Sequence, residues 1–298
     1  MADDMTPHLA KADLKAAFTA LGLSAGSGVM VHSSLRSFGY VEGGPLTVIE
    51  ALMETLTPEG TLLFPSFNHA LAFQEGAPGV YDPLVTPTVN GAIPDRFWRL
   101  PGVWRSLDPS HAFAAWGRNA RRYIENHHRT LTLGPQSPLG LLRADGGYGL
   151  LLGTGYGSNT FHHVVETTLG SPCLGARTEG YPVLLPGGRR VLGRTWGWRE
   201  TACPITDHTV YQEEMRACDR RARIGNCEAI LYKLEDCFTV VARMLSEGYH
   251  GAPPCSRCPI RPRRIPENVP SDWDAEAQCL LPDSVAWTYS VESQETHD

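Results

Sequence analysis

Residues 28–65 read GVMVHSSLRSFGYVEGGPLTVIEALMETLTPEGTLLFP, and they decide the architecture. A short apolar strand, Val29-Met30-Val31, runs into a loop of small and hydroxylic residues, and a helix follows from Pro45 to Leu56. After the turn Pro58-Glu59-Gly60, a second strand from Thr61 to Pro65 completes a βαβ unit, which implies a parallel pair with a right-handed crossover. Ligands gather beyond the carboxyl ends of such strands, here near Ser33 and Ser66. The loop can aim backbone N–H groups and the hydroxyls of Ser33, Ser34 and Ser37 at a phosphate, with Arg36 adding charge. Hydroxylic turns after strands are common, so the pattern alone is unspecific.

A second strand–turn–helix lies at residues 149–170, GLLLGTGYGSNTFHHVVETTLG. The apolar run Leu150-Leu151-Leu152 stops at Gly153-Thr154-Gly155, and Ser158 or Asn159 can cap a helix bearing His162, His163 and Glu166. The carboxylate stands three residues from one imidazole and four from the other, so either can share its helical face. One of the two histidines is expected to point into a cleft.

Outward from these stretches, helical spacing covers Thr6 to Leu21, ending at a Gly22 cap. Residues 68–89 are rich in Gly and Pro and lack periodicity, as befits a wall or lid, with Asp82 either a turn former before Pro83 or a ligand contact. Residues 103–117 look strand-like and carry His111, which reads equally as a core or a site histidine. Residues 181–196 alternate as a hairpin expected to add antiparallel strands to the sheet, making it mixed. Beyond it stand Trp196, Trp198, Glu200, Asp207 and His208, then a helix to about Arg221, a strand from Cys227 to Tyr232 and a helix from Leu234 to Glu247. Acidic residues among tryptophans suit a cationic or sugar-like ligand.

The expected fold is therefore α/β, a mixed parallel/antiparallel sheet flanked by helices. A single catalytic domain spans residues 1–250, and a Pro/Arg-rich extension over 251–298 packs on it, its last residues disordered. The chain has 298 residues, 42% of them hydrophobic and 19% charged, with a formal net charge of −6, which disfavours nucleic acid and anionic membranes. No export signal or membrane span is legible, so the cytoplasm is the expected compartment and reduced, mostly buried thiols the expected state of the cysteines. Cys255 and Cys258 form a lone CxxC, and zinc there needs two further ligands such as Cys279 with His250 or Cys237.

The sequence resembles the antibiotic N-acetyltransferases, whose best-known members are the aminoglycoside 3-N-acetyltransferases. The resemblance rests on Val31-His32-Ser33-Ser34-Leu35-Arg36-Ser37-Phe38-Gly39-Tyr40, on Leu56-Thr57-Pro58-Glu59-Gly60-Thr61-Leu62 with Pro65-Ser66-Phe67, and on Tyr81-Asp82-Pro83. Arg105-Ser106 with Pro109, Gly134-Pro135 with Ser137-Pro138-Leu139, and Leu151-Leu152-Gly153 leading to Thr160, His163 and Glu166 continue it in order and spacing. It implies a mixed α/β fold that binds acetyl-CoA and moves the acetyl group to an amine of a cationic small molecule. It puts Ser33, Ser34, Leu35, Arg36 and Ser37 against CoA and makes His163 catalytic. Glu166 or Glu200 is then the carboxylate partner of His163, and Asp82, Glu200, Asp207 and His111 are acceptor contacts. Where many members have Ser-x-His-Pro-x-His-Ser, this chain has Ser106-Leu107-Asp108-Pro109-Ser110-His111-Ala112, so any role of that first histidine is lost.

The implied chemistry is direct transfer, His163 taking a proton from the attacking amine while Thr160 or the helix-start amides meet the oxyanion. Two readings compete. His162, His163, Glu166, Asp207 and His208 would serve a metal hydrolase, although no standard ligand spacing such as HExxH is present; alternatively the chain binds CoA without turnover. The acceptor's identity and the oligomeric state, a homodimer among the options, are left open by the sequence.

Overall fold

The computed structural model describes residues 8–185, 188 and 190–263. The expected disordered end of the tail and Cys279 lie outside the described residues. In chain order the strands are β1 (His8–Leu9), β2 (Gly28–Ser33), β3 (Tyr40–Val41), β4 (Thr61–Pro65), β5 (Trp104–Arg105), β6 (Phe113–Gly117), β7 (Tyr148–Leu152), β8 (Gly175–Leu184), β9 (Arg190–Gly197), β10 (Arg220–Ile224) and β11 (Cys227–Lys233). The α-helices are α1 (Lys11–Leu21), α2 (Pro45–Leu56), α3 (Ala92–Phe97), α4 (Ala120–Ile124), α5 (Pro138–Ala144), α6 (Phe161–Thr168), α7 (Gln212–Met215) and α8 (Leu234–Glu247).

Seven strands form the main sheet in the order β10-β11-β7-β2-β4-β6-β5. Its centre is parallel, β2 pairing with β4 on one side and β7 on the other, so that Met30 stands opposite both Leu63 and Gly149. Antiparallel pairs close each flank, β6 and β5 beyond β4, β11 and β10 beyond β7. Side chains alternate across the pleat, and the two faces bury separate cores. Val29, Val31, Leu62, Phe64, Leu150 and Leu152 pack under α1, α2 and α3, whereas Met30, Leu63 and Leu151 pack under α5, α6 and α8. Helix α8 contributes Leu234, Cys237, Val241, Met244 and Leu245 to that second core, each large aliphatic side chain contributing roughly 2 kcal/mol of burial.

The expected βαβ unit, strand–turn–helix at 149–170 and helix over residues 234–247 are all present. Four expectations change. The hairpin of β8 and β9 does not join the main sheet but makes a two-stranded sheet of its own; the mixed character comes from β6, β5, β11 and β10. Residues 103–117 form two short antiparallel strands rather than one, because Pro109 and the Asp108-centred turn break the run. The helix expected up to Arg221 shrinks to α7, and Arg220–Ile224 pairs with β11 because a charged, half-exposed run fits an edge strand. The first helix begins at Lys11, where the Asp13 carboxylate accepts from the Ala10 amide, and Leu9 instead pairs with Val41. No described helix is long and apolar enough to cross a membrane.

Candidate active site

A cleft of about 1240 Å³ opens beyond the carboxyl ends of the three parallel strands. The turn after β2 lines it with His32 to Arg36, the turn after β4 with Pro65, Phe67, His69 and Ala70, and the turn after β7 with Thr154 and residues 157–160. Two glycines make the third turn possible. At Gly149 a Cβ would fall 2.2 Å from the ring of Tyr232, and the close approach lets the Tyr232 hydroxyl donate to Asn159 Oδ1 at 2.7 Å. At Gly153 φ is +69°, a conformation that disfavours other residues, and a Cβ would stand 1.9 Å from Ser37 Oγ. Asn159 in turn accepts from the Phe161 amide, the first of α6, at 3.1 Å, while the cap position itself falls on Thr160, beyond the Ser158 or Asn159 expected.

Helix α6 then delivers both His162 and His163 to the cleft, rather than one of them. His163 Nδ1 donates to Glu166 Oε2 at 2.7 Å across one helical turn. That bond fixes the Nδ1–H tautomer and leaves Nε2 of His163 as an acceptor, facing Nε2 of His162 at 3.1 Å. His162 Nε2 is then the donor, and its Nδ1 accepts from the Tyr211 hydroxyl at 2.9 Å. The result is a directional chain, Tyr211 to His162 to His163 to Glu166. Trp198 packs edge-on against His163 with ring centroids 4.9 Å apart.

Glu166 is closed off on every side. Arg199 donates to both of its oxygens at 2.8 and 2.9 Å, and Thr206 Oγ1 donates to Oε1 at 2.6 Å. Arg199 reaches on to Asp207, Nε to Oδ2 at 2.9 Å, and Asp207 also accepts from the Cys203 amide. Burial alone would raise the Glu166 carboxyl; the hydrogen bond from His163 and the charge of the Arg199 guanidinium outweigh it and hold Glu166 well below the usual carboxylate range. Arg199, despite its own burial, is held above its ordinary value by Glu166 and Asp207. Burial pushes His162 well down and His32 down to about 4, and it lowers His69 and His111 too. Burial favours the neutral form of each of these imidazoles.

Of the residues expected at the site, Ser33, Ser34, Leu35, Arg36, His111 and His163 line the cleft. Ser33 and Thr154 line it too, and their hydroxyl oxygens are buried with no hydrogen-bond partner among the described residues. Ser37 is not on the wall: its hydroxyl donates to the Ser34 carbonyl at 2.7 Å and closes the turn. Glu200 is exposed and its Oε1 accepts from the Arg261 amide at 3.2 Å, so the carboxylate on His163 is Glu166 and not Glu200. Asp82 stays off the wall because it caps its own turn, Oδ1 accepting from Leu84 N at 2.9 Å. Asp207 serves Arg199, as above. His162, His163 and Asp207 do bring possible ligand atoms within 4.8 Å of one another, but the two imidazoles bond each other and Asp207 already neutralises a buried cation.

Sequence reasoning missed four residues that build this site. Arg199, Thr206 and Tyr211 carried no motif. Arg105 is the fourth: fully buried, it donates to Ser66 Oγ and to the carbonyls of Pro83 and Thr86, stapling the 68–89 loop to the sheet as a cleft wall. Asp108, standing where the expected first histidine is absent, accepts from the Ser110 and His111 amides at 3.0 and 2.8 Å and from Thr132 Oγ1 at 2.8 Å, and so seats His111.

A family model described as aminoglycoside 3-N-acetyltransferase matches residues 30–246. The chain belongs to the aminoglycoside 3-N-acetyltransferase family. The match spans every wall of the cleft except Arg263. The SPβ prophage-derived aminoglycoside N(3')-acetyltransferase-like protein YokD of Bacillus subtilis (strain 168) is 36% identical over 196 residues, covering 59% of this chain and 70% of the relative. Its crystal structure superimposes with a TM-score of 0.71 over 82% of this chain and 95% of that one, at 29% identity. Aminoglycoside N(3)-acetyltransferase III of Pseudomonas aeruginosa is 32% identical over 259 residues, 79% of this chain and 93% of that enzyme. A mutant of aminoglycoside acetyltransferase AAC(3)-IVa solved in complex with apramycin has a TM-score of 0.68 at 29% identity, covering 82% of this chain and 95% of that one.

Proposed function

We propose that this chain transfers an acetyl group from acetyl-CoA to an amine of a small-molecule acceptor of aminoglycoside size, with His163 as general base and no acyl-enzyme intermediate. The observation that carries the reading is the Glu166–His163 pair standing at one end of a cleft whose other wall is the turn of Ser33 to Arg36. The two unpartnered hydroxyls of Ser33 and Thr154 and the guanidinium of Arg36 suit the polar groups of a CoA arm and its phosphates.

An acceptor amine is an ammonium in solution and loses one proton to solvent to become a nucleophile. His163 Nε2 takes a second from the nitrogen as the C–N bond forms, exchanging its bond from His162 for one from the amine and later handing that proton to the leaving thiolate. The imidazolium that forms is stabilised by Glu166, which Arg199 and Thr206 keep ionised and fixed. The amine nitrogen bonds to the thioester carbon, the carbonyl oxygen takes the charge, and collapse breaks the C–S bond to release the CoA thiolate, which takes the proton. The amides of Thr160, Phe161 and His163 are committed to His32, Asn159 and Thr160, and the Thr160 hydroxyl on the cleft wall is the donor assigned to the oxyanion. No cysteine lines the described cleft, which speaks for direct transfer.

The test incubates purified protein with acetyl-CoA and a panel of amines in EDTA, reading free thiol and product mass. One acetyl added to one amine, with thiol released in equal amount, is the expected result. Turnover that stops in EDTA and returns with a divalent metal, or no turnover with any amine, contradicts the proposal.

A further inference from the structure

The described wall of the cleft carries two arginines, Arg36 and Arg263, and five histidines, and no aspartate or glutamate. That composition is unexpected for a site receiving a polycation, and it runs against the chain's net negative charge. Every acidic residue that the sequence offered to the acceptor is spoken for. Glu166 is enclosed by His163, Arg199 and Thr206; Asp207 holds Arg199 and the Cys203 amide; Asp82 caps its turn; Glu200 holds the Arg261 amide.

The two arginines sit on different walls. Arg36 belongs to the turn after β2, which also holds the unpartnered Ser33 hydroxyl that the donor reading uses. Arg263 comes from the C-terminal strap, beyond the last residue of the family match. The strap lies antiparallel to residues 198–200: Glu200 N donates to the Arg261 carbonyl at 2.9 Å, Pro262 bridges to Arg199, and Arg263 N donates to the Trp198 carbonyl at 2.7 Å. Trp198 is the residue whose ring stands against His163. The backbone of Arg263 is therefore locked one residue from the catalytic network, and its side chain lines the cleft without an ion pair to any described carboxylate.

Resting on the transferase reading of this same cleft, we propose that the acceptor is a zwitterionic amine, one that bears a carboxylate or phosphate beside its reacting amine, and that Arg263 binds that oxyanion. The residue is exposed, its backbone is tied to Trp198, and its side chain lines the cleft, so its guanidinium can reach over the His163 wall, repel a second ammonium and pair with an acid group, orienting the amine toward His163. Selection comes from charge more than from shape.

The test measures thiol release from acetyl-CoA by the full-length protein with matched acceptors: an amino acid against its amide, glucosamine 6-phosphate against glucosamine, and kanamycin as the polycation. The acid-bearing member of a pair is expected to be preferred about 10- to 100-fold in kcat/KM, the range of a hydrogen-bonded charge pair. Carboxylate and phosphate sources are told apart by which pair shows it. R263E is expected to remove the preference through KM, to leave the KM for acetyl-CoA unchanged, and to be rescued in part by R263K. Preference for kanamycin or for the neutral members would overturn the inference while leaving the transferase reading intact. So would an R263E effect confined to the KM for acetyl-CoA, which would assign Arg263 to the donor. No thiol release with any acceptor would overturn both.

Discussion

Replacing Glu166 by Gln keeps the shape of the side chain and removes its charge. In the native network His163 donates to one carboxylate oxygen at 2.7 Å, while Arg199 donates to both. The imidazolium formed during turnover gains about 4 kcal/mol from a carboxylate at such range with an effective dielectric near 20, so its loss slows kcat by up to about 10³-fold. Arg199 makes the loss worse, since its charge next to His163 is no longer balanced. The same change leaves Arg199 buried with Asp207 alone and costs roughly 3–5 kcal/mol of stability, the typical effect of breaking a buried ion pair. The assay must therefore separate chemistry from folding: kcat is measured at low temperature and scaled to the folded fraction from circular dichroism. Thr206→Ala is the control, removing one hydrogen bond to the same carboxylate but no charge; it is expected to cost about 1 kcal/mol of stability and less than about tenfold in kcat. E166Q turning over within about threefold of native, with its folded fraction known, would refute the role given to this pair.

Further outcomes follow from the same geometry. Arg199→Met is expected to lower the unfolding free energy by about 3 kcal/mol or more in urea titration, because it strands the buried Glu166 carboxylate. Ser33→Ala, which removes an unpartnered buried hydroxyl, is expected to raise the KM for acetyl-CoA about 3- to 10-fold while leaving the melting temperature unchanged or slightly higher. Stability should fall in acid: His32 is neutral in the fold, held at about 4 against an ordinary 6.5, so the unfolded chain takes up protons first as pH drops. Its contribution is complete above pH 6.5 and lost between there and about 4, worth about 3 kcal/mol for this group. His32→Gln is expected to flatten that part of the stability–pH curve, and an unchanged slope would show that His32 is not buried as described.

The fold was legible where a local pattern is also a global one. Val29-Met30-Val31, the helix from Pro45 and the strand from Thr61 make a parallel pair wherever they are met, and β7 with α6 repeats the logic. Hairpin β8–β9 misled because alternation says that strands pair with each other, not whether the pair joins a larger sheet. At the site, His163 and Glu166 were legible from helical spacing, since three residues span one turn. Arg199, Thr206 and Tyr211 reach α6 from 33, 40 and 49 residues away, and no spacing rule covers such distances. Glu200 stood beside the right residue in sequence, yet neighbours in an extended segment point to opposite sides: Arg199 faces Glu166 and Glu200 faces the strap.

The imidazole of residue 163 is tested most directly by single-turnover thiol release from acetyl-CoA with a proven acceptor, comparing native protein with His163→Ala and with His162→Ala. His163→Ala is expected to bind acetyl-CoA with native affinity and to release thiol at least about 10²-fold more slowly, the usual contribution of a general base, with a smaller loss for His162→Ala. Native rates in His163→Ala, or a loss confined to acetyl-CoA affinity, would contradict the assignment.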